Sequence, residues 1–290
     1  MRDVSIATLE GWVAYLGDKA LPVLARTKRE LAVLREQEST VSARQIAQVI
    51  LHDPLMTLRL LAFIEKRRRH SQHNEITTID RALMMIGITP FFEHFDALPT
   101  LEDHLDGHPQ ALLGVMRVIA RARRASHWAR EWALIRHDVD IDEITVAALL
   151  HDVAEIMCWV FAPKLSLDLR DLLRTDPHMR TAIAQRAVFN VTAQELQLAL
   201  ARAWKLPTLL IALMDDRHSV TPRARNVTLA VNLARHSAKG WDDPALPDDF
   251  KAIEELLHIS HETLLGRLGL PIDGSPPPES SDDQETDKES

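Results

Sequence analysis

The chain has 290 residues, 46% apolar and 26% charged, with a formal net charge of −8; that is enough apolar side chain for a real core in one large domain or two modest ones. Nine glycines, about 3% against a usual ~7%, argue against glycine-rich phosphate loops and hairpin-rich β folds, since both need residues at positive φ. The single cysteine, Cys158, excludes an intramolecular disulfide and any multi-cysteine zinc site and fits a reducing compartment, while one tyrosine and seven phenylalanines leave little for stacking single-stranded nucleic acid.

Met1-Arg2-Asp3-Val4 has no basic head followed by an apolar run, and no stretch of ~18 uncharged apolar residues occurs. A cytoplasmic protein without a membrane partner is expected. Ser42 and Gln45 form a capping-box pattern ahead of Ile46, Val49 and Ile50. Asp53-Pro54 restarts the chain in a proline-first helix carrying Leu55, Leu58, Leu61 and Ala62. Thr77 and Thr78 precede Ile79–Ile86, with Gly87 placed as a left-handed C-terminal residue. Thr89-Pro90 and His108-Pro109 each open a further helix, the second running long, past Met116 and Ile119 to Trp132.

Asp142 is the expected N-cap of the next helix, with Glu143 in its first turn, and that helix carries Ile144, Ala147, Leu150, Ala154, Met157 and Phe161 before Pro163. Thr192 and Glu195 make a second capping box, and Pro207-Thr208 and Thr221-Pro222 open two more helices, the last stopped by Gly240. Recurring caps without alternating strand patterns predict an all-α fold. Met84, Met85, Trp128, Trp132 and Trp204 read as core, and Cys158 as an inert buried thiol. Residues 271–290 combine Pro, Ser, Asp and Glu with almost no apolar side chain and read as a disordered acidic tail. That tail carries −6 of the net charge, so residues 1–270 carry only −2 and acidity does not exclude an anionic partner.

His151-Asp152 is the strongest candidate for chemistry, because two titratable residues interrupt an otherwise apolar helix. A buried carboxylate needs a metal, a cation or several donors to answer it. Imidazole and carboxylate together suit a divalent ion, and His127, 24 residues upstream on the long helix, could supply a further ligand. The alternative is a hydrogen-bonded polar cluster tying helices together, in which Asp152 locks an imidazole or caps a backbone group. Two basic groups stand out: Lys66, Arg67, Arg68 and Arg69, followed by His70, and the helical stripe Arg117, Arg121 and Arg124. Each reads as a solvated helix face or as contacts to an anionic partner. His104 and His108 have an i, i+4 spacing, but Gly107 and Pro109 argue against a continuous helix there.

With these residues in place, His127 and His151-Asp152 resemble the start of the HD superfamily pattern. More narrowly, the chain resembles the HDOD domain of bacterial signalling proteins. The resemblance rests on Leu21-Pro22-Val23, the segment from His52 to Leu61, the segment from Ile79 to Gly87, Ala148 to Val153, and Trp204-Lys205-Leu206-Pro207 followed by His218. It covers roughly residues 20–240 and implies a multi-helix fold whose second half is HD-like, with a role in signal transduction.

Departures from the family pattern bear on mechanism. The resemblance implies that a distant Asp completes the metal site of catalytic relatives, and Arg235 stands near that position in Val231-Asn232-Leu233-Ala234-Arg235-His236. An arginine there repels a cation. Ala154 and Glu155 replace the small Gly and basic residue usual after the doublet, and Ala193 replaces a histidine.

The expectation is therefore an N-terminal helical subdomain over 1–105, an HD-like helical subdomain over 106–270 and the tail over 271–290. Its expected role is a non-catalytic signalling module acting through a protein partner, with no catalytic residues, no cofactor and no nucleic acid. Two alternatives stand beside it. One is a metal-dependent phosphohydrolase using His127, His151 and Asp152, with Asp215 or Asp216 as last ligand. The other is an anionic nucleotide messenger bound by Lys66, Arg67, Arg68 and Arg69.

Overall fold

Prolines and capping side chains set most of the helix starts in the structure, a computed structural model that describes residues 6–67, 75–176, 178–218 and 220–271. Among the described residues seven helices precede residue 105: α1 (Leu9–Gly17), α2 (Ala25–Glu36), α3 (Ala43–Ile50), α4 (Pro54–Arg67), α5 (Ile79–Ile86), α6 (Ile88–His94) and the short α7 (Leu101–His104). The long α8 (Pro109–Ile135) follows, then α9 (Ile141–Leu150), α10 (Val153–Phe161), α11 (Pro163–Thr175), α12 (Thr181–Phe189) and α13 (Ala193–Ala203). The remaining described elements are α14 (Thr208–Leu213), a 3-10 turn over Asp216–His218, α15 (Pro222–His236), a second 3-10 turn over Ser237–Lys239, α16 (Leu246–Leu257) and α17 (His261–Arg267). Among the described residues there is no strand, only an isolated parallel bridge between Val23 and Thr100.

Both predicted capping boxes form, Ser42 with Gln45 and Thr192 with Glu195. Asp53 explains why a proline-first helix starts at Pro54: its buried carboxylate accepts the backbone N–H of Leu24 at 2.8 Å, Leu55 at 2.9 Å and Met56 at 3.1 Å. One side chain thereby fastens the start of α4 to the start of α2. Burial pushes this carboxyl up, and the four donors, Thr27 included, oppose that rise.

Several sequence expectations need correction. Asp142 is not an N-cap; α9 begins after Asp140, and Asp142 pairs with Arg130 on the outside of the first turn. Glu143 is buried rather than merely dipole-facing, accepting from Thr77 Oγ1 and Arg223 Nη2, each at 2.6 Å. Gly87 has φ +84° but ψ 156°, so it leaves α5 extended and α6 starts at Ile88, one residue before Thr89. Met84 and Met85 are 70% and 39% exposed, because α5 turns Ile79, Ala82 and Leu83 inward and leaves the next two positions outside. The helix predicted through Ile144 to Phe161 is broken at His151-Asp152. Arg68, Arg69, His70 and nearly all of the tail lie outside the described residues.

The core is continuous across the chain, with Trp12, Phe91 and Trp132 among its largest fully buried side chains. The first helix packs on α13 in the second half of the sequence. Three long-range hydrogen bonds fasten it there: Trp12 Nε1 to the Phe189 carbonyl (2.8 Å), Tyr15 Oη to that of Phe161 (2.8 Å) and Trp204 Nε1 to that of Gly17 (3.0 Å). The stretch Ile141–Phe161 is apolar and long enough to cross a membrane by those criteria alone, yet its most apolar window is 94% buried inside the protein. It is the spine of the second half, flanked by α8 and α15.

Candidate functional site

The helix break sits at the site. His151 keeps helical angles, but Asp152 moves to φ −100° and ψ 18°, so α9 ends and α10 starts anew. A break inside a core leaves backbone groups to be satisfied. Gln197 on α13, 1% exposed, spans it: its Oε1 accepts the Ala154 N–H at 2.8 Å and its Nε2 donates to the Leu150 carbonyl at 2.9 Å. Sequence reasoning missed Gln197, although a glutamine in the apolar run Leu196–Leu200 was a visible signal.

Asp152 is 8% exposed and carries a full set of donors. Its Oδ2 accepts from Arg121 Nε at 2.9 Å and Nη2 at 2.7 Å, and its Oδ1 from Arg235 Nη2 at 3.2 Å. Arg121, on α8, also donates from Nη2 to Glu155 Oε2 at 2.6 Å. His151 lies between two carboxylates, Nδ1 at 3.3 Å from Asp152 Oδ1 and Nε2 at 3.0 Å from Asp216 Oδ1. Thr228 Oγ1 completes the ring by donating to Asp216 Oδ1 at 3.1 Å.

The electrostatics follow from this geometry. Burial alone pushes the His151 imidazole down, but hydrogen bonds and charge from Asp152 and Asp216 outweigh it and raise it to about 9. Burial pushes Asp152 up, yet the charges of Arg121 and Arg235 and the imidazole hold it well below the usual carboxylate range. Asp216 moves down as well, burial being outweighed by His151 and Arg235. Burial disfavours the Arg121 cation, and Glu155 and Asp152 reverse that and hold it charged. With His151 protonated, both ring nitrogens donate, and Arg121, Arg235 and His151 balance Asp152, Glu155 and Asp216.

The resemblance to HD proteins implies a divalent metal at this pair, and the donor set does not fit one. An ion ~2.0–2.6 Å from Asp152 would sit against two guanidinium groups already bonded to both carboxylate oxygens. Among the described residues no three His, Cys, Asp or Glu side chains converge as a metal cage. His127, the predicted third ligand, is not brought to the pair. It is exposed on α8, about 120° round the helix from Arg121, and Arg121 points at Asp152 instead. Of the two suggested last ligands, Asp216 does reach His151, while Asp215 pairs with Arg217 at 3.0 Å. Arg235, which the resemblance puts near the place of a last metal ligand, contacts Asp152.

The predicted basic stripe is divided by the fold. Arg121 turns inward, Arg117 is exposed, and Arg124 lies over the Trp128 ring with its guanidinium 5.6 Å from the centroid. At the end of α4, Lys66 is exposed and Arg67 stacks on Phe63 at 4.3 Å. His104 and His108 fall on opposite sides of the α7–α8 turn, as the intervening glycine and following proline require.

The HDOD domain family model matches residues 21–220. Among solved structures, the MmoQ response regulator of Methylococcus capsulatus is 20% identical, with a TM-score of 0.65 over 87% of this chain and 98% of that one. A virulence factor from Campylobacter jejuni is 18% identical, with a TM-score of 0.63 over 92% and 94% of the two chains. At these identities the likeness is one of fold. No curated protein matches the chain.

Proposed function

The chain belongs to the HDOD domain family, and on that premise we propose that it is a non-catalytic regulatory module that acts by binding a protein partner in a signalling pathway. The observation that carries this reading is the pair of guanidinium groups on Asp152: the carboxylate that would hold a metal is neutralised from within by Arg121 and Arg235. A site so filled supplies no Lewis acid and no metal-bound hydroxide, so phosphoester hydrolysis loses its nucleophile. What remains is an ion cluster joining α8, the α9–α10 break, the Asp216 turn and α15, which suits a rigid scaffold. Fold likeness to a protein described as a response regulator is in keeping with such a role.

Hydrolysis of bis(p-nitrophenyl) phosphate and of cyclic nucleotides, assayed with Mn, Fe, Mg and Zn in turn, tests the proposal. The expected rate is that of the Asp152→Asn variant under the same conditions. Turnover well above it, dependent on one of the metals, overturns the reading in favour of a phosphohydrolase.

A further inference from the structure

The outer face of α8 carries positive charge that the fold leaves unanswered. At ~100° per residue, Arg117, Ala120, Arg124 and His127 fall within ~80° of one another, and Arg123 lies beside them. Arg117, Arg124 and His127 are exposed, and Arg123 is half-buried. No hydrogen bond or ion pair among the described residues engages Arg117, Arg123 or His127. Arg124 donates one long bond, at 3.5 Å, to the Ala234 carbonyl. Further along the helix, Arg130 and Glu131 are answered by Asp142 and Arg267. Ala120, exposed and small, leaves room for an extended chain to lie close against the middle of the face. Three arginines without a carboxylate suit an acidic chain.

Such a chain begins beside this face. Arg267, at the end of α17, pairs with Glu131 of α8 at 3.0 Å. Beyond Pro271, residues 279–289 hold six carboxylates against Lys288 alone. From Glu131 it is ~10 Å along the helix to Arg124 and ~21 Å to Arg117. Eight residues of extended chain, from Pro271 to Glu279, span up to ~26–29 Å, so the acidic run reaches all three arginines. A covalent tether of this length holds the run at an effective concentration on the order of mM, which favours it over a free acidic partner.

We propose that the outer face of α8 is a docking surface for the acidic segment 279–289 of this same chain, its carboxylates on Arg117, Arg123 and Arg124. The contact is an internal competitor: an acidic partner that uses these arginines has to displace it. It stands whether or not the Asp152 cluster is catalytic.

Paramagnetic broadening of amide signals in the full chain tests the docking. Cys158, the one native cysteine, is buried, so a nitroxide attached at Ser281→Cys marks the segment. At about 0.1 M salt, where the Debye length is ~10 Å, loss of signal is expected along residues 117–127. The signal returns at about 1 M, where that length is ~3 Å. It returns also in a variant combining Arg117→Gln, Arg123→Gln and Arg124→Gln. Nitroxide-bearing chain mixed with isotope-labelled chain that lacks the nitroxide gives no loss. Absence of broadening on α8, broadening centred instead on Lys66 and Arg67, or broadening indifferent to salt or to the three substitutions overturns the proposal. Equal broadening in the mixture overturns it too, the occupant then being a second copy. Should the arginine variant fail to fold, Asp282→Asn, Asp283→Asn and Glu285→Gln together have to restore the signal, and unchanged broadening there overturns the proposal by itself.

Discussion

Replacing Arg121 by Met tests whether the ion cluster is a structural tie. The substitution keeps most of the side-chain volume and removes the guanidinium that makes two hydrogen bonds to Asp152 Oδ2 and one to Glu155. Asp152, 8% exposed, is then left with His151 and with Arg235, whose side chain is 41% exposed and makes a single contact at 3.2 Å. Breaking a buried pair by removing one partner costs ~3–5 kcal/mol, and the remaining donors place this case near ~3 kcal/mol. Arg235→Met, at a half-exposed position, should cost only ~1 kcal/mol. Urea unfolding at neutral pH, read by far-ultraviolet circular dichroism, measures both. A double-mutant cycle with Asp152→Asn isolates the pair, and the double variant is expected to lose at least ~1.5 kcal/mol less than the sum of the singles. A cost for Arg121→Met below ~1 kcal/mol, or strict additivity with Asp152→Asn, refutes the tie.

His151 makes stability depend on pH in a stated direction. Its folded-state value is about 9 against an ordinary 6.5, so its contribution is fully present below 6.5 and is lost as pH rises through 9. Asp152 and Asp216, held down in the fold, contribute above the ordinary carboxylate range and lose that contribution as pH falls through their lowered values. Unfolding free energy should therefore fall between pH 7 and 10 by up to ~1.4 kcal/mol per unit, and Asp216→Asn should flatten that slope; an unchanged slope counts against a charged His151. Gln197→Leu strands the Ala154 N–H and the Leu150 carbonyl and should cost ~2–4 kcal/mol by chemical denaturation; a neutral result would mean that the helix break satisfies itself. Gly114→Ala places a Cβ 2.4 Å from the Trp159 ring, so overpacking of ~1–3 kcal/mol should outweigh the helix-propensity gain and lower the melting temperature, where open space would raise it.

Much of the fold was legible because helix ends are local chemistry. Ser42, Thr192, Pro54 and Pro109 act within a few residues of themselves, and all four start helices as read. The break at Asp152 was not legible, since what sustains it is Gln197 from a helix 43 residues away. Of the site, the His151-Asp152 pair was visible as two titratable residues in an apolar helix, and Arg235 as a departure from the family pattern. Arg121 was not, because its spacing with Arg117 and Arg124 reads as an outward stripe. Only the packing of α8 against α9 and α10 shows which member turns in. His127 was assigned on order along the chain, which carries no information about the face of a 27-residue helix. Met84 and Met85 were placed inside on hydrophobicity alone, although a helix as short as α5 has room for only one buried stripe.

The most direct test of the central claim is elemental analysis of the full chain purified without chelator, by plasma mass spectrometry, repeated after incubation with excess Mn and desalting. If Arg121 and Arg235 occupy the place of the cation, every divalent metal should be far below one per chain in both samples, and equally so in Asp152→Asn. One tightly held Mn, Fe, Zn or Mg per chain, lost in that variant, would contradict the account.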